Sequence, residues 1–355
     1  MSVAVAGSSS ASSATAVVCY CRAGFEPECT QEIQALAQEH ALDGSIETDT
    51  GAGYVVYNCT SDETSLRGIF DWRHLIFARQ SLIAFARFEN LPRKDRLTPM
   101  LDALAARGEV FADVWVESPD SDAGKELTAL CKSFGNAMVG ALRQRKWLDT
   151  KSRKRLHVFF ASGDVVFLAS AEIDHSAPWP LGIPRLKFPR EAPSRSTLKL
   201  EEALFVLLSA DERAKWLKPA MTAVDLGAAP GGWTWQLAYR SIRVTAIDNG
   251  PMDRALLQSG LVTHLREDGF RFRPRKPVDW LVCDMVEQPR RIAALIAQWL
   301  ADGLCRYTVF NLKLPMKKRF EETRLCLDIV GAHASDVRAR QLYHDREEIT
   351  VFARR

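Results

Sequence analysis

Ten residues constrain this 355-residue chain more than any others: Val224-Asp225-Leu226-Gly227-Ala228-Ala229-Pro230-Gly231-Gly232-Trp233. A short apolar run passes into a turn of small residues, and Trp235, Leu237 and Ala238 follow with helical character. Strand, tight turn and helix in immediate succession make the opening unit of a doubly wound α/β sheet. Glycine and alanine let the backbone approach a ligand, and the helix N-terminus offers unpaired N–H donors. The spacing of Gly227, Gly231 and Gly232, with Pro230 inside the turn, is not the Gly-x-Gly-x-x-Gly of a dinucleotide site. A leading Asp225 suits a cationic, amino-acid-bearing ligand better than a pyrophosphate.

The same rhythm continues downstream. Apolar runs at 244–248, 280–284 and 308–312 are short strands separated by helical stretches. Asp248 ends one of them, where a carboxylate can accept both hydroxyls of a ribose. Asp268 follows the expected third strand and could meet an adenine amino group, or simply cap a loop. Asp284 ends the run Leu281-Val282-Cys283, and a charge rarely follows such a run without a task. Upstream, residues 199–208 have helical periodicity and carry Lys199. Lys313 closes the run at 308–312, on the edge where such sheets bind ligands. Near the C-terminus Glu347 and Glu348 are equal claimants by spacing, each readable as a polar residue on the outward face of a strand.

These residues suit proton transfer from a weakly acidic hydroxyl. Such a group needs a base within hydrogen-bond reach and a cationic setting for the developing oxyanion. A lysine serves as base only if burial or neighbouring cations lower its pKa. Lys199 could supply the second cation, while Asp284 and either Glu347 or Glu348 hold the ammonium groups. Two alternative chemistries fit poorly. The residues Asp284-Met285-Val286-Glu287 do not match the Asn/Asp-Pro-Pro-aromatic loop of amine methylation. Cytosine C5 chemistry needs an exposed thiol, and Cys283 is expected to face the core.

The blocks DLGAAPGGWTW, AID (246–248), VCDM (282–285), NLKLPMKKR (311–319) and HDREEITVF (344–352) resemble the ribose 2′-O-methyltransferases of the heat-shock-methyltransferase type. Within them the chain is most similar to the bacterial 23S rRNA (cytidine-2498-2′-O)-methyltransferases, strongly over residues 190–355. The resemblance implies a Rossmann-like methyltransferase fold, S-adenosylmethionine as cofactor, and a catalytic Lys199, Asp284, Lys313 and Glu348 with Lys313 as proton acceptor. The cofactor set is then Ser196, Asp225, Gly227, Ala229, Pro230, Gly231, Gly232, Trp233, Asp248, Asp268 and Asp284. No metal is required. The substrate is RNA, by resemblance 23S rRNA at cytidine 2498.

The N-terminal half reads differently. Residues 1–16 are Ser/Ala/Gly-rich and are expected to be a disordered leader. Runs at 17–21 and 54–59 are strands and 75–88 includes a third, with helices at 26–40 and 62–70, the latter N-capped by Asp62. A second unit begins near Leu91. Leu101, Leu104 and Ala105 mark one helix, and Leu130, Phe134, Met138 and Leu142 line the face of another. Residues 156–161 and 165–169 form a hairpin around Ser162-Gly163-Asp164. Residues 19–26 resemble a ferredoxin-like unit and 91–170 a THUMP domain, an RNA-binding module. Arg143, Arg145, Lys146, Arg153, Lys154 and Arg155 crowd one stretch with Trp147, a pattern suited to phosphates and one stacked base. Arg195 continues a basic strip toward Lys199.

Five prolines between Pro178 and Pro193 are too many for a helix or central strand and mark a boundary. The expected organisation is a leader at 1–16, a ferredoxin-like domain at 17–90 and a THUMP-like domain at 91–177. A Pro-rich linker at 178–193 and a methyltransferase domain at 194–355 follow. The fold class is α/β with an N-terminal α+β region. A net charge of +3 does not decide for or against nucleic acid. No apolar run reaches the ~18 residues that span a bilayer. The eight scattered cysteines fit reduced thiols, hence a cytoplasmic protein, and nothing demands more than a monomer. Two rivals differ in class. Glycine spacing opposes a nicotinamide-dependent oxidoreductase. The intact Lys/Asp/Lys/Glu set opposes a non-catalytic RNA-binding or ribosome-assembly factor.

Overall fold

The computed structural model describes residues 15–355. Residues 1–14 of the expected leader lie outside them, and its last residue, Ala16, already begins a strand. The chain divides into two compact units between Ile183 and Pro184.

The first unit has strands β1 (Ala16–Cys21), β2 (Gly44–Glu47), β3 (Tyr54–Cys59), β4 (Ala78–Phe88), β5 (Asp113–Glu117), β6 (Lys154–Phe160) and β7 (Val166–Glu172). Its helices are α1 (Glu26–Glu39), α2 (Glu63–Ile69), α3 (Leu97–Arg107), α4 (Asp122–Glu126) and α5 (Thr128–Gln144). Asp62 does cap α2, accepting the N–H groups of Thr64 and Ser65. All seven strands form one sheet, in the order β2-β3-β1-β4-β7-β6-β5. The regions expected as two modules therefore share a sheet. The reason is the length of β4: its first half pairs with β1 (Val18↔Leu82) and its second with β7 (Phe88↔Val166), with a register shift between Ala84 and Ala86. On the β6–β7 half, Met100, Leu101 and Leu104 of α3 and Phe134, Met138 and Leu142 of α5 pack on Leu156, Val158, Phe160, Val166 and Leu168. Ala105, expected on that face, is exposed.

The first third of the expected linker belongs to this unit. Gly182 and Ile183 are buried, as is Ala177 just before the linker. The Ala177 N–H donates to Gln80 Oε1 at 3.1 Å and the Leu181 N–H to Glu117 Oε1 at 2.6 Å. Prolines remove donors from this segment, but the remaining N–H groups find side-chain acceptors and so the segment packs down.

The second unit opens with α6 (Thr197–Leu207) and α7 (Ala210–Trp216), then β8 (Thr222–Leu226), α8 (Gly232–Ala238), β9 (Arg243–Ile247), α9 (Arg254–Gln258) and β10 (Val262–Leu265). It continues with β11 (Val278–Cys283), α10 (Pro289–Ala301), β12 (Cys305–Lys313), α11 (Arg319–Gly331), β13 (Asp336–Arg340) and β14 (Glu348–Arg354). The sheet order is β10-β9-β8-β11-β12-β14-β13. The first five strands are parallel, and β14 is antiparallel to both its neighbours. Strand order reverses at β8, which lies between β9 and β11. That reversal opens a crevice at the C-terminal ends of the strands, the place where such sheets take ligands.

Candidate active site

Three strand ends and one helix bring the charged residues together. Asp284 is the first residue beyond β11, and Lys313 is the last of β12. Glu348 opens β14 and stands directly opposite Lys313 in the antiparallel register. Lys199 lies in the first turn of α6. Lys313 Nζ donates to Asp284 Oδ1 at 2.6 Å and also bonds Glu348 Oε2. Lys199 Nζ bonds Glu348 Oε1 and lies 3.6 Å from Asp284 Oδ2. Two ammonium groups and two carboxylates thus neutralise one another in a part-buried site, the only arrangement in which burying four charges is tolerable.

Two expectations need correction here. Glu348 is not on an outward face but is 3% exposed, because β14 inserts between β12 and β13 and is covered on both sides. Glu347 instead points to Arg319, which settles which glutamate joins the lysines. Nor is the Lys313 pKa lowered. Burial pulls it down, but Asp284 and Glu348 together more than reverse this and raise it. In the resting site Lys313 is an ammonium.

Protein neighbours also forbid side chains at the glycine turn. A Cβ on Gly227 would lie 2.6 Å from Met285 Cγ, and one on Gly231 equally close to Leu256 Cδ2. On Gly232 it would meet Ser196 Oγ at 2.2 Å and Ser194 Oγ at 2.5 Å. Gly227 and Gly231 also have positive φ, which other residues adopt at a cost. Ser196 thus sits against the turn, together with Ser194, which sequence reasoning missed. Each oxygen of Asp248 already accepts a backbone N–H, from Ala229 (3.0 Å) and Gly250 (2.6 Å), which ties the second strand end to the turn.

Three other expected cofactor residues are engaged by the protein itself. The Asp225 carboxylate is buried and accepts the Thr234 hydroxyl at 2.6 Å. Trp233 is buried in the core with Leu237, Trp280 and Val309, since the first turn of α8 faces the sheet. Asp268 is exposed and caps its own loop, accepting the Phe270 N–H at 2.9 Å. Even so, burial, and with it the nearby Asp284 and Asp248, pushes the Asp225 carboxyl up to about 7. Carboxylates therefore converge at the ends of β8, β9 and β11, a field that a cationic ligand would relieve. Cys283 is buried, and its thiol is pushed up to about 12, chiefly by burial. That disfavours a thiolate nucleophile.

The basic stretch of the first unit splits in two. Arg143, Arg145 and Lys146, at and just beyond the end of α5, are exposed, and so is Arg195 in the second unit. Arg155 is buried: its guanidinium lies 3.6 Å from the Trp115 ring centroid and pairs with Asp113 at 2.8 Å. Every residue of β6 beyond Lys154 is buried, so Arg155 is held inside, away from any phosphate. Lys154 pairs with Glu109, and Arg153, though exposed, with Asp174.

Comparisons with known proteins agree along the chain. Residues 14–82 match the RlmM ferredoxin-like domain, 95–171 the ribosomal RNA large subunit methyltransferase M N-terminal family, and 192–326 the FtsJ-like methyltransferase family. Ribosomal RNA large subunit methyltransferase M of Xanthomonas campestris pv. campestris (strain B100) is 54% identical over 345 residues, 96% of this chain and 99% of the relative. The protein of the same name from Xanthomonas oryzae pv. oryzae (strain PXO99A) is similar to the same extent. Among solved structures, a possible methylase from Clostridium difficile 630 covers 96% of this chain and 98% of its own, at 14% identity and a TM-score of 0.36.

Proposed function

The chain belongs to the ribosomal RNA large subunit methyltransferase M family, whose catalytic unit is FtsJ-like and uses S-adenosylmethionine, and we propose that it methylates the ribose 2′-hydroxyl of cytidine 2498 in 23S rRNA. One observation carries the reading: Lys199, Asp284, Lys313 and Glu348, drawn from four separate elements, form a single ion-pair network at the C-terminal edge of the sheet.

The cofactor supplies an electrophilic methyl on a sulfonium. Ser196, the turn at 227–232, Asp248, Asp268 and Asp284 would hold it, with Asp225 and Trp233 acting from beneath through the strand and helix they anchor. Two of the three Lys313 N–H donors are committed to Asp284 and Glu348. The third is uncommitted, and Lys313 must lose this proton to solvent water before its lone pair can receive the ribose proton. Lys199 shares both carboxylates, which limits how strongly they hold Lys313 in its charged form. Arg143, Arg145, Lys146 and Arg195 are the exposed cations that would meet RNA phosphates. Arg155 serves mainly the structure, while Lys154 and Arg153 are tied to Glu109 and Asp174. The eight cysteines are free and buried, which supports a reducing, cytoplasmic setting. We take the working form to be a monomer.

The test is methyl transfer from labelled S-adenosylmethionine to RNA from cells lacking the protein, with nucleosides identified by mass spectrometry. Labelled 2′-O-methylcytidine is expected. A base-methylated product would overturn the role of Lys313. Cofactor binding without any transfer would point to an assembly factor.

A further inference from the structure

Behind Asp284 a chain of hydrogen bonds runs into the core. Asn311 Nδ2 donates to Asp284 Oδ1 at 2.8 Å. Thr350, opposite Asn311 in the β12–β14 register, lies with its hydroxyl 2.7 Å from Asn311 Oδ1. The same hydroxyl is 3.1 and 3.0 Å from the two oxygens of Asp345, in the turn between β13 and β14. Asn311 and Thr350 are fully buried and Asp345 is 1% exposed.

Counting protons assigns a direction. Asp284 accepts from Lys313, so its carboxylate can only accept, and Asn311 must turn its NH₂ toward it. The Asn311 carbonyl then faces Thr350, which has one proton and gives it to that carbonyl. Only lone pairs of Thr350 remain for Asp345. A carboxylate facing lone pairs would repel them, whereas a carboxylic acid would donate to them. We propose that Asp345 is a positioning residue in its neutral, acid form, donating to Thr350 so that Thr350 and Asn311 hold Asp284 in place against Lys313.

The surroundings agree. Burial first, then repulsion from Glu348 and Glu202, hold the Asp345 carboxyl well above the ordinary range, against the Leu342 N–H and Lys199, which act the other way. The inference deepens the methyltransferase reading and rests on it for its kinetic consequence.

Asp345→Asn tests the direction, because the amide is a permanent donor without charge. It should keep kcat within about threefold of the parent protein. Thr350→Val removes the hydroxyl at equal volume and should lower kcat about tenfold or more, with KM for RNA unchanged, as for a displaced catalytic group. Thr350→Ser should restore the rate. Equal losses in Asp345→Asn and Thr350→Val would show that Asp345 acts as a carboxylate and overturn the proposal; so would a normal rate in Thr350→Val. Infrared spectroscopy of protein with carboxyl-labelled aspartate needs no turnover. A protonated-carboxyl band present at neutral pH and absent from Asp345→Asn is expected. Its absence from the parent protein sinks the inference, whatever the methyl-transfer assay gives.

Discussion

Asp225→Asn should make the second unit more stable, and increasingly so as pH rises. In the folded protein the carboxyl is pushed from 3.8 to about 7, first by burial. Between those values the folded state binds a proton that the unfolded chain does not, so stability falls as pH rises through that window. The penalty is absent below the unfolded pKa and complete above about pH 7. A shift of about three units corresponds to about 4 kcal/mol, an order-of-magnitude figure. About half of this develops between pH 5.5 and 8.5, the practical range. Asparagine cannot ionise, and its side-chain oxygen can still accept the Thr234 hydroxyl that Asp225 holds at 2.6 Å. The assay is urea unfolding of parent and variant across that range, without cofactor. The gap in unfolding free energy should widen by about 2 kcal/mol in favour of the variant, by the same conversion. A constant gap, or one that narrows as pH rises, would refute the idea that carboxylates crowd the crevice at the cost of stability.

Other expectations concern the site and the RNA-facing surface. Lys313→Ala should abolish methyl transfer while leaving cofactor affinity near that of the parent; retained turnover would remove Lys313 as the base. Reversing Arg143, Arg145 and Lys146 together to Glu should weaken RNA binding at low salt and flatten its salt dependence, with cofactor affinity, read by calorimetry, unchanged. Arg155→Ala should instead act on folding, costing about 2 kcal/mol in the first unit, because a buried guanidinium leaves Trp115 and Asp113. If Arg155→Ala weakened RNA binding without lowering the melting temperature, its buried placement would be wrong.

What the chain alone determined is local and periodic. The strand–turn–helix around Gly227–Gly232 and the apolar strand runs were legible because apolar period and turn residues encode them directly. Lys313 and Asp284 were legible for the same reason: each terminates an apolar strand, and strand ends at that edge face the crevice. Tertiary pairing decided the rest. Nothing near Glu347 and Glu348 distinguishes them; only the register Lys313↔Glu348, with β14 between two strands, sends one to the lysines and the other to Arg319. A cluster of arginines reads as one surface, but β6 is buried on both faces beyond Lys154 and takes Arg155 inside with it. The two N-terminal modules merge because β4 is long enough to pair on both sides. The sign of the Lys313 pKa shift needed the packed site, since burial and two carboxylates pull in opposite directions and only their distances show which wins. Asn311, Thr350 and Asp345 had no signal as a group, for hydrogen bonds across a sheet depend on register, which is settled only when the whole fold closes.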